Sequence, residues 1–386
     1  MMKVLYIAAW TLCICASLIH CRYAVKISSN VFVDVYRNKR IAFLEALALV
    51  LIFLLITSNR TGEDIYNYSY EYDHISAIWS AREPLYSILK YFFSSLGITF
   101  YVFRAVITFI FGLFAVKTLK YFGTDICLVL IFYLPSMIFM DSMQFRNAVA
   151  WTILIWSLRY LLYVDRKSKI KFIICTFLAT GIHTFYFIVF LLFCFYFKNR
   201  RKKIAYMLIG ISIAVGIITF LNGNRIPGFS ILLNLILSKG DARIAFYTDT
   251  SAHLGWMMPF GIHFITTTYG IILEKYVSKS KGIYTYKQIL YIQLVNYFNM
   301  ILFVTVPAMM MSVTYYRMIR GAFIINVVLG TFVFGKKRKL DSFQLFTLSV
   351  FTALAILWFV WDIKICQVDT NPLIKPVFEG VWFWLA

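Results

Sequence analysis

Long apolar runs alternate with short polar interruptions along the whole chain. The runs are mostly about 17 to 25 residues long, the length at which an α-helix crosses the hydrocarbon core of a bilayer. They predict helices over about 4–20, 41–58, 98–116, 125–140 and 147–164. Further helices are predicted over about 204–221, 257–273, 288–308, 318–335 and 341–361. The expected fold is all-α: a polytopic transmembrane bundle of about 10–12 helices, forming one integral membrane domain over residues 1–386.

One run breaks the alternation of sides. Residues 172–197 have basic blocks at both ends, so both ends belong on the cytoplasmic face. At about 1.5 Å per residue the run is too short for two full spans. A re-entrant hairpin of two half-helices resolves this, turning near Gly181, Ile182, His183 and Thr184. Non-helical backbone at that depth survives only when shielded or beside a wet cavity, so His183 is expected to face a cavity open to the outside. The alternative is one long tilted helix that ignores the charge rule. Two outer loops are large, about 59–97 and 222–256. In the first, Leu85 to Leu96 has apolar residues at helical spacing and suits the interface plane.

Composition agrees with the pattern. The chain is 61% hydrophobic and 14% charged, with a mean hydropathy of +0.77, where soluble domains are about a quarter charged. A net charge of +21 raises nucleic acid as a partner, but the distribution argues against it. Lys and Arg fall in blocks such as Arg37/Lys39/Arg40, Arg166/Lys167/Lys169/Lys171 and Lys336/Lys337/Arg338/Lys339. If these blocks are cytoplasmic, that side carries twice as many Lys and Arg as the outer side. The first 21 residues resemble a signal peptide, yet no small-x-small cleavage site precedes Arg22 and Lys26, so they read as a retained first helix. The seven cysteines lie mostly inside apolar runs without ligand spacing and read as small buried hydrophobes.

No P-loop, GxGxxG turn, HExxH or paired CxxC is present, so nothing supports an ATPase, a nicotinamide enzyme or a zinc protease. No metal or cofactor is implied. What remains is charge gathered on the outer side: Arg82, Arg146, Arg225, Arg243, Arg317 and Arg320, with Glu63, Asp64, Glu71, Asp73, Glu83, Asp141, Asp241 and Asp249. Such arginines suit a diphosphate, which a guanidinium binds bidentately at any working pH; the plainer account is arginines snorkelling to head groups. Arg146, in "DSMQFR" between two apolar runs, heads a predicted helix where free N–H groups favour an anion, with Asp141 as its expected local partner. His183, Asp64 and Glu83 are the candidates for taking a proton from a hydroxyl. His263, mid-helix in "FGIHFITTTYG", reads as a core histidine. The crowded tyrosines around Tyr68 suit sugar, although aromatic belts mark interfaces too.

Taken in order, "GEDIYNYSYEY", "EPLYSIL", "QFRNAVAWTILIWSLRYL" and "FLATGIHTFYFIVFLLF" resemble the EpsG family of bacterial exopolysaccharide proteins, related to Wzy-type O-antigen and capsule polymerases. "KGDARIAFYTD" and "YYRMI" resemble its later stretches. Asn147 stands where the family commonly has Gln. The resemblance implies a multi-pass protein of the bacterial inner membrane. It would be a metal-independent glycosyltransferase joining undecaprenyl-diphosphate-linked oligosaccharides at the outer face. It implies Arg146, Arg243, Arg317 and Arg320 at the diphosphate and His183, Asp64 and Glu83 in catalysis. Tyr68 and Tyr247 would meet sugar. Membrane lipids, a chain-length regulator and a flippase are the implied partners. A transferase adding a single sugar, or a flippase for the same lipid-linked oligosaccharide, are the rivals.

Overall fold

The computed structural model describes residues 2–27, 39–60, 62–75, 83–122, 124–229, 231, 254–280, 284–334, 341–365 and 375–378. The described residues are helical, with no strand among them. Among the described residues six helices are long and apolar enough to cross a membrane, so this is a multi-pass membrane protein. The other predicted spans are short, broken, or diluted by polar side chains. The chain packs as two compact units, residues 1–190 with 327–386, and residues 191–326.

In the first unit α1 (Met2–Ile27) pairs with α2 (Lys39–Ser58). The connection after α2 then forms two helices, α3 (Glu63–Asp73) and α4 (Pro84–Ser95). The second was expected; the first was not, because its tyrosines and acids carry little apolar signal. Its burial is nonetheless periodic, with Ile65, Tyr68 and Tyr72 turned inward. α5 (Phe100–Tyr121) follows as a full span.

The predicted helix over 125–140 is two helices, α6 (Ile126–Ser136) and α7 (Ile138–Met143). Pro135 accounts for the break: it has no N–H to give the carbonyl of Ile131 four residues back. The Trp10 indole N–H donates to that carbonyl at 3.2 Å. At the other end of α6, Asp125 accepts from the Leu128 N–H at 3.1 Å and from the Ser17 hydroxyl at 2.8 Å, capping the helix and tying it to α1. α8 (Phe145–Leu161) packs between α5 and α9 (Arg166–Ile182).

The hairpin is present. α9 ends at His183, whose extended backbone (φ −148°, ψ 110°) breaks the helix. A 3₁₀ stretch, Thr184–Tyr196, continues the chain. The Phe177 and Phe190 rings, on the two sides of the break, meet at 4.9 Å; two collinear segments would keep them far apart, so the chain reverses at His183. A 3₁₀ helix rises about 2.0 Å per residue against 1.5 Å. Thr184–Tyr196 therefore reaches about 26 Å, while α9 extends about 17 Å past Lys171, its last basic residue, so the two limbs are unequal.

The second unit holds α10 (Arg201–Leu221), α11 (Met257–Lys279), α12 (Tyr286–Leu302) and the short α13 (Val306–Met311). α14 (Arg317–Thr331) begins in it. Its core carries a polar seam. His263 Nε2 lies 2.9 Å from the Asn299 carbonyl, Asn299 and Asn326 exchange side-chain amide bonds at 2.8 and 3.0 Å, and Asn296 donates to the Gly270 carbonyl at 3.0 Å. His263 is thus a buried core histidine, as expected. Gly270 makes room for this amide: a Cβ there would fall 2.2 Å from Asn296 Oδ1, which would have to shift. α15 (Ser342–Ile365) returns to the first unit, where Phe351 meets Phe132 of α6 at 5.9 Å.

Candidate functional site

Glu83 organises the site. It is the N-cap of α4, and Pro84 fixes the first helical turn after it. An N-cap acid normally bonds its own helix's free N–H groups, but Glu83 makes no such bond. Its carboxylate turns outward to two other elements. Oε2 accepts from Arg146 Nη1 at 2.6 Å. Oε1 accepts from the Thr184 N–H at 3.4 Å and lies 3.9 Å from His183 Nδ1. One carboxylate thereby joins α4, the first turn of α8 and the tip of the hairpin.

The surrounding residues set the orientation of Arg146. Its guanidinium lies over the Tyr68 ring at 4.3 Å and the Tyr86 ring at 5.1 Å, and Phe145 packs edge-on against both tyrosines. Glu71 approaches Nη1 at 4.0 Å and receives Lys90 Nζ at 3.2 Å. Glu71 is half exposed, so that outer pair contributes little stability. Burial pushes the Tyr86 phenol well above its usual range, against the pull of Arg146, and it stays protonated at working pH. Side chains of Arg146, Glu83 and His183 keep 20%, 16% and 19% of their surface exposed, enough for a ligand to reach them.

Two contacts hold the hairpin tip against this cluster. Tyr186, fully buried, donates to the Asn147 carbonyl and side-chain oxygen at 3.2 and 3.1 Å. Gly181 lets α4 approach: a Cβ there would sit 3.0 Å from Leu85 Cβ. A larger residue would push α4, and Glu83 with it, away from His183.

Of the residues expected from the sequence, Glu83, Arg146, His183 and Tyr68 come together. Tyr68 is 5% exposed, and a ring so buried holds the guanidinium rather than stacking on a sugar. Asp64 lies on the same face of α3 as Tyr68 and Glu71, at i, i+4 and i+7, and forms no hydrogen bond or ion pair among the described residues. Asp141 is not the partner of Arg146: its Oδ2 accepts from the Tyr133 hydroxyl at 2.9 Å, and Glu83 takes the role. Arg317 and Arg320 begin α14 in the second unit, with Arg320 buried. Arg243 and Tyr247 lie outside the described residues. Glu71, Tyr86, Lys90 and Tyr186 were not foreseen. Treating residues 63–73 as a helix is the one signal that would have placed Glu71 beside Tyr68.

Fold and site define a multi-pass helical membrane protein with a charged, tyrosine-backed site at the tip of a hairpin. The model of the EpsG family matches residues 41–368, most of the chain, and the protein belongs to the EpsG family. EpsG is a Wzy-like polymerase family, which makes the chain a polysaccharide polymerase-like, glycosyltransferase-like membrane protein. No curated protein and no solved structure gives a match.

Proposed function

We propose that the protein joins oligosaccharide repeat units carried on undecaprenyl diphosphate, at the outer face of the bacterial inner membrane. The observation that supports this reading is the convergence of Glu83 and Arg146 with the hairpin tip that carries His183. A hydroxyl of one lipid-linked unit attacks the anomeric carbon of the other chain. The new C–O bond forms as the bond to the diphosphate breaks, and the proton passes to the Glu83 carboxylate, with His183 beside it to receive it. The leaving diphosphate needs charge neutralisation more than a proton. Arg146 uses Nη1 for the carboxylates, and Nη2 is available to a phosphoryl oxygen. Preorganised donors at a developing anion are worth about 3 kcal/mol each. Arg243, Arg317 and Arg320 are the further diphosphate candidates, Tyr247 remains a candidate for sugar, and Tyr68 positions Arg146.

The test is deletion followed by gel separation of the surface polysaccharide, with lipid-linked intermediates examined in parallel. Single repeat units exposed outside and no ladder support the polymerase. Repeat units accumulating inside the cell overturn it in favour of a flippase. Units lacking one sugar overturn it in favour of a single-sugar transferase.

A further inference from the structure

We propose that the inner edge of the first unit carries a binding site for an anionic phospholipid, built on Lys117, Arg159 and Lys171. The three cations come from the last turns of α5 and α8 and the first turns of α9. The charge pattern puts these ends on the cytoplasmic side, away from the expected position of the Glu83–Arg146 cluster.

The geometry is that of an unneutralised cationic nest on an aromatic floor. Arg159 lies over the Trp156 ring at 3.2 Å and the Tyr160 ring at 4.6 Å, and its Nη2 reaches the Tyr160 hydroxyl at 2.5 Å. Lys117 shares the Trp156 ring at 5.9 Å, and Lys171 shares the Tyr160 ring at 5.7 Å. Each lysine is thereby held within about 10 Å of Arg159, one Debye length at ordinary salt. None of the three forms an ion pair among the described residues. Lys120, also in the last turn of α5, does, with Glu45 at 2.9 Å. Repulsion among three such cations is relieved by a bound anion.

A second feature separates a phospholipid from a free phosphate. Apolar stripes lead from both lysines toward the membrane interior. On α5, Leu113 and Ile110 lie one and two turns from Lys117 and are 54% and 40% exposed. On α9, Ile174 and Leu178 stand in the same relation to Lys171, at 50% and 42%. A head group held by the cations thus has two exposed apolar tracks for its acyl chains. Basic pockets at the cytoplasmic ends of membrane helices bind acidic lipid head groups on this principle.

The full-length protein, purified in neutral detergent, would be titrated with phosphatidylglycerol, phosphatidylcholine or inorganic phosphate. Bound lipid is read by native mass spectrometry and stability by the thermal midpoint. Phosphatidylglycerol is expected to remain bound and to raise the midpoint, with the other two doing neither. The variant Lys117→Gln/Lys171→Gln changes only exposed side chains. It should lower phosphatidylglycerol affinity about thirtyfold, roughly fivefold for each cation, with an unchanged midpoint in detergent alone. Equal retention of phosphatidylcholine, an equal effect of inorganic phosphate, or undiminished affinity in the double variant would overturn the proposal.

Discussion

Two arginines in the first unit are both enclosed by protein and do different work. Arg104, on α5, is 1% exposed and forms no ion pair among the described residues. It donates to the carbonyls of Asn59, Ile56 and Ser142. These carbonyls end α2 and α7, where a helix leaves its last acceptors unpaired and its dipole negative. Both terminal nitrogens of the guanidinium are therefore bonded to backbone, and it fastens two helix ends to a third helix. Arg146 is a fifth exposed, pairs with Glu83 and rests on two tyrosines. Residue type does not separate the two; partner and exposure do. An arginine buried against carbonyls is out of a ligand's reach, while one held by a single nitrogen beside an opening is not.

The contrast can be broken from either end. The largest effect is expected from Arg104→Met, which leaves three buried carbonyls unpaired at about 1–3 kcal/mol each. Little folded protein should reach the membrane, as size-exclusion profiles of a fluorescent fusion would register; normal levels would remove the fastening role. Glu83→Gln should do the reverse. Polymer formation falls about 100-fold, while the thermal midpoint moves little because the amide oxygen still accepts from Arg146 and only the long 3.4 Å contact with the Thr184 N–H is given up. A stable, fully active Glu83→Gln protein would exclude this carboxylate from the chemistry.

Smaller changes sharpen the comparison. Arg146→Lys keeps the charge but loses the planar fork and most of the stacking on Tyr68 and Tyr86. A loss of about tenfold in polymer yield is expected, and unchanged chain length would show that the fork is not needed. Tyr68→Phe preserves the ring beneath Arg146 and should cost less than about threefold. Tyr68→Leu removes the ring and should approach the Arg146→Lys defect. Equal effects of the two Tyr68 variants would point to the hydroxyl instead of the ring.

Much of this molecule is written locally. Apolar run length specifies helices that must cross a bilayer, basic blocks orient them, and the basic residues at both ends of 172–197 require a reversal, found at His183. The amphipathic spacing of Leu85 to Leu96 marks α4 equally well. All of these are properties of neighbouring residues and of the membrane as solvent. The 3₁₀ conformation of Thr184–Tyr196 was not legible, because its apolar run reads alike for either helix type, and so the longer reach of that limb was not anticipated.

The pairings within the site had to await tertiary structure. Asp141, five residues before Arg146, is the obvious partner on the sequence, yet Tyr133 claims it and Glu83 arrives from the start of α4 instead. That outcome depends on how α4 folds back, on Gly181 allowing the approach and on Tyr186 holding the hairpin tip to α8. The sequence by itself determined the membrane class, the helices, the turn at His183 and the candidates Glu83, Arg146 and His183. Only the tertiary structure decided that they share one carboxylate, and that Tyr68 serves the guanidinium. Solvent and helical period act on every residue where it stands, whereas a charged pair is chosen among all the groups that long-range packing brings within reach.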